Sequence, residues 1–232
     1  MKRYPGEEVP GLAPAGSLFA RLRAACLTEW TAYIDHAFVR QMGEGTLREE
    51  CFRHYLGQDY LFLIHFARAY GLAAFKAENL ETLRAAGLGM ASILDEMGLH
   101  VDFCRRWGLG ASELEALPES RATLAYTRYV LEKGLSGDLL DLYVALSPCM
   151  VGYAEIGLAL KPLSGPDHPY REWIDQYAGE AYGDVARASV ATLDDLMARR
   201  GGVGRMPDLI RTFREATRLE ADFWRMSLDR AD

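Results

Sequence analysis

The sequence predicts an all-α protein, and three observations carry that prediction. Apolar residues recur at three- and four-residue steps from Ser17 to the end. No stretch of strict apolar/polar alternation is long enough to read as a strand. The breakers fall in clusters between long periodic runs, as they do in helical bundles.

The first helix starts at Ser17 as its cap and carries Leu18, Leu22, Ala25, Trp30 and Tyr33 before "MGEGTL" stops it with Gly43 and Gly45. The second runs from about Arg48 to the late seventies, with Phe52, Tyr55, Leu56, Asp59, Phe62, Leu63 and Phe66 on one face. The third covers roughly Glu78 to Trp107 and is expected to be loosened by Gly87 and Gly89. A connection with a short helical turn follows and ends at Pro118. The next helix, from about Arg121 to Lys133, carries Tyr126 and Tyr129, and Gly134 to Gly137 mark the turn into the run that contains Cys149. "KPLSGPDHPY" is the strongest breaker cluster. Helices near Pro169 to Tyr177, Glu180 to Arg200 and Pro207 to Leu228 complete a compact bundle.

At 232 residues the chain suits one domain over residues 17–232, with residues 1–16 as a flexible arm. Its 50% hydrophobic and 11% aromatic content provides a sizeable core. A net charge of −7, with 26 basic residues scattered along the chain, argues against nucleic-acid binding. The arm has no apolar core of the kind a secretory signal needs. The most apolar window, Leu139 to Leu163, is interrupted by Asp141, Glu155 and Lys161 and reads as a buried central helix, so no membrane partner is expected. Four cysteines, at 26, 51, 104 and 149, form no CxxC and suit a reducing, cytoplasmic setting.

Cys149 lies in "LSPCMVGYAEIG". Two conformations fit. Either a helix starts here, with Ser147 as cap and the thiol among free N–H groups that lower its pKa, or a continuous helix is kinked by Pro148. In the second case the Val144 carbonyl loses its usual partner. Tyr153, four residues on, shares the face of Cys149, whereas Glu155 does not and reads as a partner for an Arg or Lys. Taken alone, the cysteine reads as a small core hydrophobe.

Asp59 lies on the apolar face of its helix, where a carboxylate needs a partner or neutralises. Glu220, in "RLEADFWRM", either borders the core or pairs on the surface with Arg218 or Arg225. The histidines supply no HExxH, and Glu50/His54 and Glu96/His100 are spaced i, i+4 where a di-iron bundle uses i, i+3. Each reads as a satisfied or surface histidine. No metal, phosphate-binding loop or other cofactor is expected.

"FRHYLGQDYLFLIHFARAY", "ATLAYTRYV", "LSPCMVGYAEIG", "HPYREWIDQYAGEAY" and "LEADFWRMSL", together with "HAFVRQMGEGTL", resemble in order and spacing the TenA family of thiaminase II enzymes, over about Ser17 to Asp232. The resemblance implies a haem-oxygenase-like helical fold without haem and a homotetramer. It also implies hydrolysis at the pyrimidine methylene of aminopyrimidine or thiamin, giving hydroxymethylpyrimidine. The motif "SPCMVGYAE" is similar to that of the cysteine-bearing branch. On that resemblance Cys149 is the nucleophile, Asp59 and Glu220 are the active-site acids, and Tyr126, Tyr153 and Tyr177 line the pyrimidine site. Phe62 departs from the tyrosine that some members have three residues after the aspartate; it keeps a stacking surface and lacks the hydroxyl. The alternatives are a regulatory binder that kept the pocket without turnover, and a cofactorless oxidase of the same fold.

Overall fold

Ser17 opens the helical part of the chain as expected. In the computed structural model, which describes residues 11–202 and 204–231, its hydroxyl accepts a hydrogen bond from the Ala20 N–H at 3.2 Å. Of the expected arm, residues 1–10 lie outside the described residues; residues 11–16 follow turns with Gly11 and Gly16 at positive φ, and Leu12 is buried.

The first expected helix is three: α1 (Leu18–Ala25), α2 (Leu27–Ile34) and α3 (Ala37–Gly43). The breaks fall at Cys26, with φ −125° and ψ 30°, and at His36, whose ring accepts from the Phe38 N–H and so caps α3. The reason is packing. In one straight helix Phe19 and Trp30 would be about 16 Å apart along the axis. With the break, their ring centroids meet edge-on at 5.4 Å.

The long helices follow: α4 (Glu49–Phe75), α5 (Leu80–Arg106), the short α6 (Ala111–Ala116) and α7 (Arg121–Ser136). A capping box at Asn79 and Thr82 starts α5. Gly87 and Gly89 do not loosen it, since α5 runs through both. Gly89 instead makes room for the Tyr70 ring, into which a methyl group there would run. Gly134 likewise lies inside α7, where it lets the helix approach Leu72 and Leu142. The turn comes at Gly137, the residue that ends α7.

Then come α8 (Leu139–Leu160), a 3-10 turn (Lys161–Leu163), α9 (Arg171–Tyr177), α10 (Glu180–Arg200) and α11 (Arg205–Asp229). By length and composition Leu139–Leu163 could cross a membrane; 83% of its apolar window is buried within the protein. Among the described residues there are helices and no strand, so the fold is all-α.

The chain divides into two compact units. The first is built from the chain up to Leu47 with Tyr143–Trp224, the second from Arg48–Leu142 with the chain from Arg225. In the first, Trp30 stacks on Phe213 with centroids 5.6 Å apart, and Trp224 stacks on Phe38 at 4.9 Å. Asp194 Oδ1 accepts from the Leu18 N–H at 2.6 Å, tying α10 to the free N-terminus of α1. In the second, α5 and α7 pack on α4. Gln58 ties the start of α7 to α4, accepting from the Ser120 N–H at 3.0 Å and the Thr123 hydroxyl at 2.6 Å and donating to the Pro118 carbonyl at 3.0 Å.

Candidate active site

Cys149 lies in the middle of α8. The helix is continuous, with Pro148 inside it, so the alternative that starts a helix at Ser147 is overturned. The thiol therefore lies more than two turns from the N-terminus of α8, beyond the free N–H groups of its own helix. The Val144 carbonyl that Pro148 cannot satisfy accepts from the Ser147 hydroxyl at 2.9 Å. Ser147 therefore repairs the defect that its neighbour makes.

The four thiols fall into two groups. Cys26, Cys51 and Cys104 are buried, and burial pushes each thiol pKa up, that of Cys104 to about 12. Cys149 is half-exposed. Since the thiolate is the nucleophile, burial disfavours the reactive form of these three thiols.

One turn after Cys149, Tyr153 enters an aromatic group of the first unit. Its ring lies 4.9 Å from Tyr177, 5.4 Å from Trp224 and 5.9 Å from Trp173. Two glycines of α8 permit this. At Gly152 a methyl would strike the Tyr33 ring, and at Gly157 it would strike the backbone of Tyr177 and Ala178, the end of α9. Close approach at Gly157 thus seats Tyr177 beside α8.

Glu155 is 3% exposed and fully matched: Arg23 Nη2 donates to Oε1 at 2.6 Å and Trp30 Nε1 donates to Oε2 at 3.0 Å. The basic partner expected for it is Arg23, reinforced by an indole. Glu220, on α11, is 1% exposed. The surface pairing with Arg218 or Arg225 that the sequence left open is thereby overturned.

The second unit holds the other three candidate residues. Asp59 is 4% exposed on α4. Tyr55, one turn earlier, donates its hydroxyl to Asp59 Oδ2 at 3.3 Å, and His100 Nδ1 stands 3.7 Å from the same oxygen. Burial pushes the Asp59 pKa up to about 7, against the lowering effect of the Tyr55 hydroxyl. Phe62 faces Tyr126 of α7 with centroids 4.9 Å apart. Both rings lie on the helices that Gln58 ties together.

Cys149 with Tyr153 and Tyr177 thus belongs to the first unit, as does Glu220, while Asp59, Phe62 and Tyr126 belong to the second. Sequence reasoning placed Tyr55 only on an apolar face and gave no role to Gln58 or His100. A glutamine directly before a buried aspartate was the available signal for Gln58. Among the described residues, no three His, Cys, Asp or Glu side chains are grouped as a metal site requires.

The sequence pattern of the TENA/THI-4/PQQC family matches residues 24–230, a span that contains all seven candidate residues. An aminopyrimidine aminohydrolase from Halalkalibacterium halodurans is 38% identical, with 85% of this chain and 89% of that protein covered. An aminopyrimidine aminohydrolase from Bacillus subtilis is 31% identical over 75% and 74%. Among solved structures, a TenA family transcription regulator from Silicibacter sp. TM1040 superposes with a TM-score of 0.87 at 45% identity, covering 93% of this chain and 98% of that one.

Proposed function

Because the chain belongs to the TENA/THI-4/PQQC family, we propose that it is a hydrolase of thiamin salvage acting through a cysteine nucleophile. Its substrate is aminopyrimidine (4-amino-5-aminomethyl-2-methylpyrimidine) or thiamin, cleaved at the pyrimidine methylene to give hydroxymethylpyrimidine. One observation carries the reading. Of four thiols, the one in the family motif is the one not buried, and a turn away its helix presents Tyr153 against Tyr177. Two relatives that cover most of their own length bear the name aminopyrimidine aminohydrolase, which supports the same substrate class.

The chemistry asks something definite of each residue. A pyrimidine is a poor electrophile until a ring nitrogen is protonated. Glu220 supplies that proton, and the Cys149 thiolate then forms a bond to a ring carbon. The added electrons move toward the methylene and expel the amine, which leaves as ammonia from aminopyrimidine. Water adds to the exocyclic carbon and the carbon–sulfur bond breaks to return the thiolate; of the two protons released, from the ring nitrogen and from water, one balances that taken up by the departing ammonia and the other restores Glu220. Asp59 recognises the ring amino group. Tyr126, Tyr153, Tyr177 and Phe62 supply stacking faces, and the tyrosine hydroxyls fix the ring's orientation.

A second reading, a pyrimidine-responsive regulator without turnover, draws on the description of the Silicibacter relative. The net charge of −7 has the wrong sign for a surface that tracks phosphates. Homotetrameric assembly belongs to the proposal too, since Leu80, Leu83, Leu88 and Leu94 of α5 form exposed apolar surface that assembly would bury. So does a cytoplasmic location, which four free thiols suit.

The test is direct. Purified protein is incubated with aminopyrimidine and, separately, with thiamin, and ammonia and hydroxymethylpyrimidine are followed. Turnover of either supports the proposal; pyrimidine-dependent thermal stabilisation with no product from either replaces it with the regulator.

A further inference from the structure

His100, on α5, has a side chain 8% exposed, and its two ring nitrogens meet different groups. Nε2 lies 3.0 Å from the Leu56 carbonyl oxygen. A carbonyl has no proton to give, so Nε2 carries the hydrogen and donates it. In the neutral ring Nδ1 is then a bare lone pair, and it faces Asp59 Oδ2 at 3.7 Å. The ring is neutral at pH 7 because burial pushes its pKa below the ordinary value, outweighing the Leu56 carbonyl and Glu96, which raise it.

Among the described residues, the other groups set against Asp59 carry no positive charge. Tyr55, on its own helix, donates a hydroxyl at 3.3 Å. Cys104, one turn after His100 on α5, is a thiol that stays protonated, its pKa pushed to about 12. At 3.7 Å the Asp59–His100 contact is beyond hydrogen-bond reach, so it acts electrostatically.

We propose that His100 is a positioning residue that keeps Asp59 in its acid form: the Leu56 carbonyl fixes the imidazole with its Nδ1 lone pair toward Oδ2, where a carboxylate is opposed. The consequence is chemical. A carboxylic acid presents one donor and one acceptor side by side, which is the complement of a ring nitrogen beside an amino group. A carboxylate can only accept. His100 would thereby select a neutral aminopyrimidine edge, a specificity that rests on the role given above to Asp59.

The test is made on the free protein, so its outcome is independent of whether any pyrimidine is turned over. Carbon-13 NMR of aspartate-labelled protein follows the Asp59 carboxyl through pH, with the signal assigned by its loss in D59N. In H100Q an amide N–H replaces Nε2–H on the Leu56 carbonyl and the Nδ1 lone pair is gone; H100A removes both and controls for lost packing. The expected result is an Asp59 midpoint lower by about one pH unit or more in H100Q than in the parent. An unchanged or raised midpoint overturns the proposal. Nitrogen-15 shifts of His100 in the unmodified protein should give the Nε2–H tautomer at pH 7; the Nδ1–H tautomer or an imidazolium overturns it even where H100Q fails to fold.

Discussion

Glu155 in the first unit and Asp59 in the second are both buried carboxylates, and their surroundings differ in kind. Glu155 has a donor on each oxygen, one of them the guanidinium of Arg23. Asp59 has a hydroxyl and a histidine lone pair on the same oxygen, and its pKa is pushed up to about 7. A matched buried charge holds helices together. A buried acid without a cation destabilises its ionised form, and such groups mark sites where a proton is handled. Glu155 ties α8 to α1 and α2; Asp59 is the one proposed to meet the substrate.

The largest expected effect breaks the matched pair. In E155Q the Arg23 guanidinium keeps its burial and loses its counter-charge, which should destabilise the protein by about 3–5 kcal/mol. Denaturant melts read that loss. Turnover per folded molecule should change far less, because Glu155 is tied to Arg23 and Trp30 and is not among the residues proposed to meet the substrate.

D59N should do the reverse. The unfolded aspartate has a pKa near 3.9, and the folded one is raised to about 7. The folded state therefore binds the proton more tightly. Stability from this group is full below pH 4, falls as pH rises to 7, and is flat above, a change of up to about 4 kcal/mol. D59N removes that dependence, so it should be more stable than the parent at pH 8 while turnover drops by about a hundredfold or more. Denaturation at pH 4 and pH 8, with ammonia release alongside, checks both halves. If D59N is destabilised at pH 8 and retains turnover, Asp59 is a structural acid like Glu155 and the contrast collapses.

The smallest effect sharpens the account of α8. S147A leaves the Val144 carbonyl without the hydroxyl that replaces its missing helical donor. The expected loss is about 1 kcal/mol, seen as a lower urea midpoint at unchanged slope.

The helices were legible where their signals are local. The run from Arg48 and the run from Glu180 to Arg200 appear within a few residues of their expected limits, since caps and periodicity lie inside each. The break at Cys26 was not legible, because no glycine or proline marks it and its cause is Phe19 meeting Trp30 from a separate helix. Candidate residues were legible as anomalies, an acid on an apolar face and a thiol beside a proline. Their partners were not. His100 meets a carbonyl 44 residues away in sequence, and Glu155 meets an arginine 132 residues away. Periodicity along one helix carries no information about which neighbour lies across from it. Gly87 and Gly89 were expected to loosen α5, yet the helix runs through both, and at Gly89 the space left by the missing side chain is filled by Tyr70.

The measurement that bears most directly on the central claim is ammonia release from aminopyrimidine by the parent protein, C149S and C104S. Turnover is expected from the parent, with a loss of a thousandfold or more in C149S, about 4 kcal/mol of transition-state stabilisation, and little change in the rate per folded molecule of C104S. Full activity in C149S would contradict it.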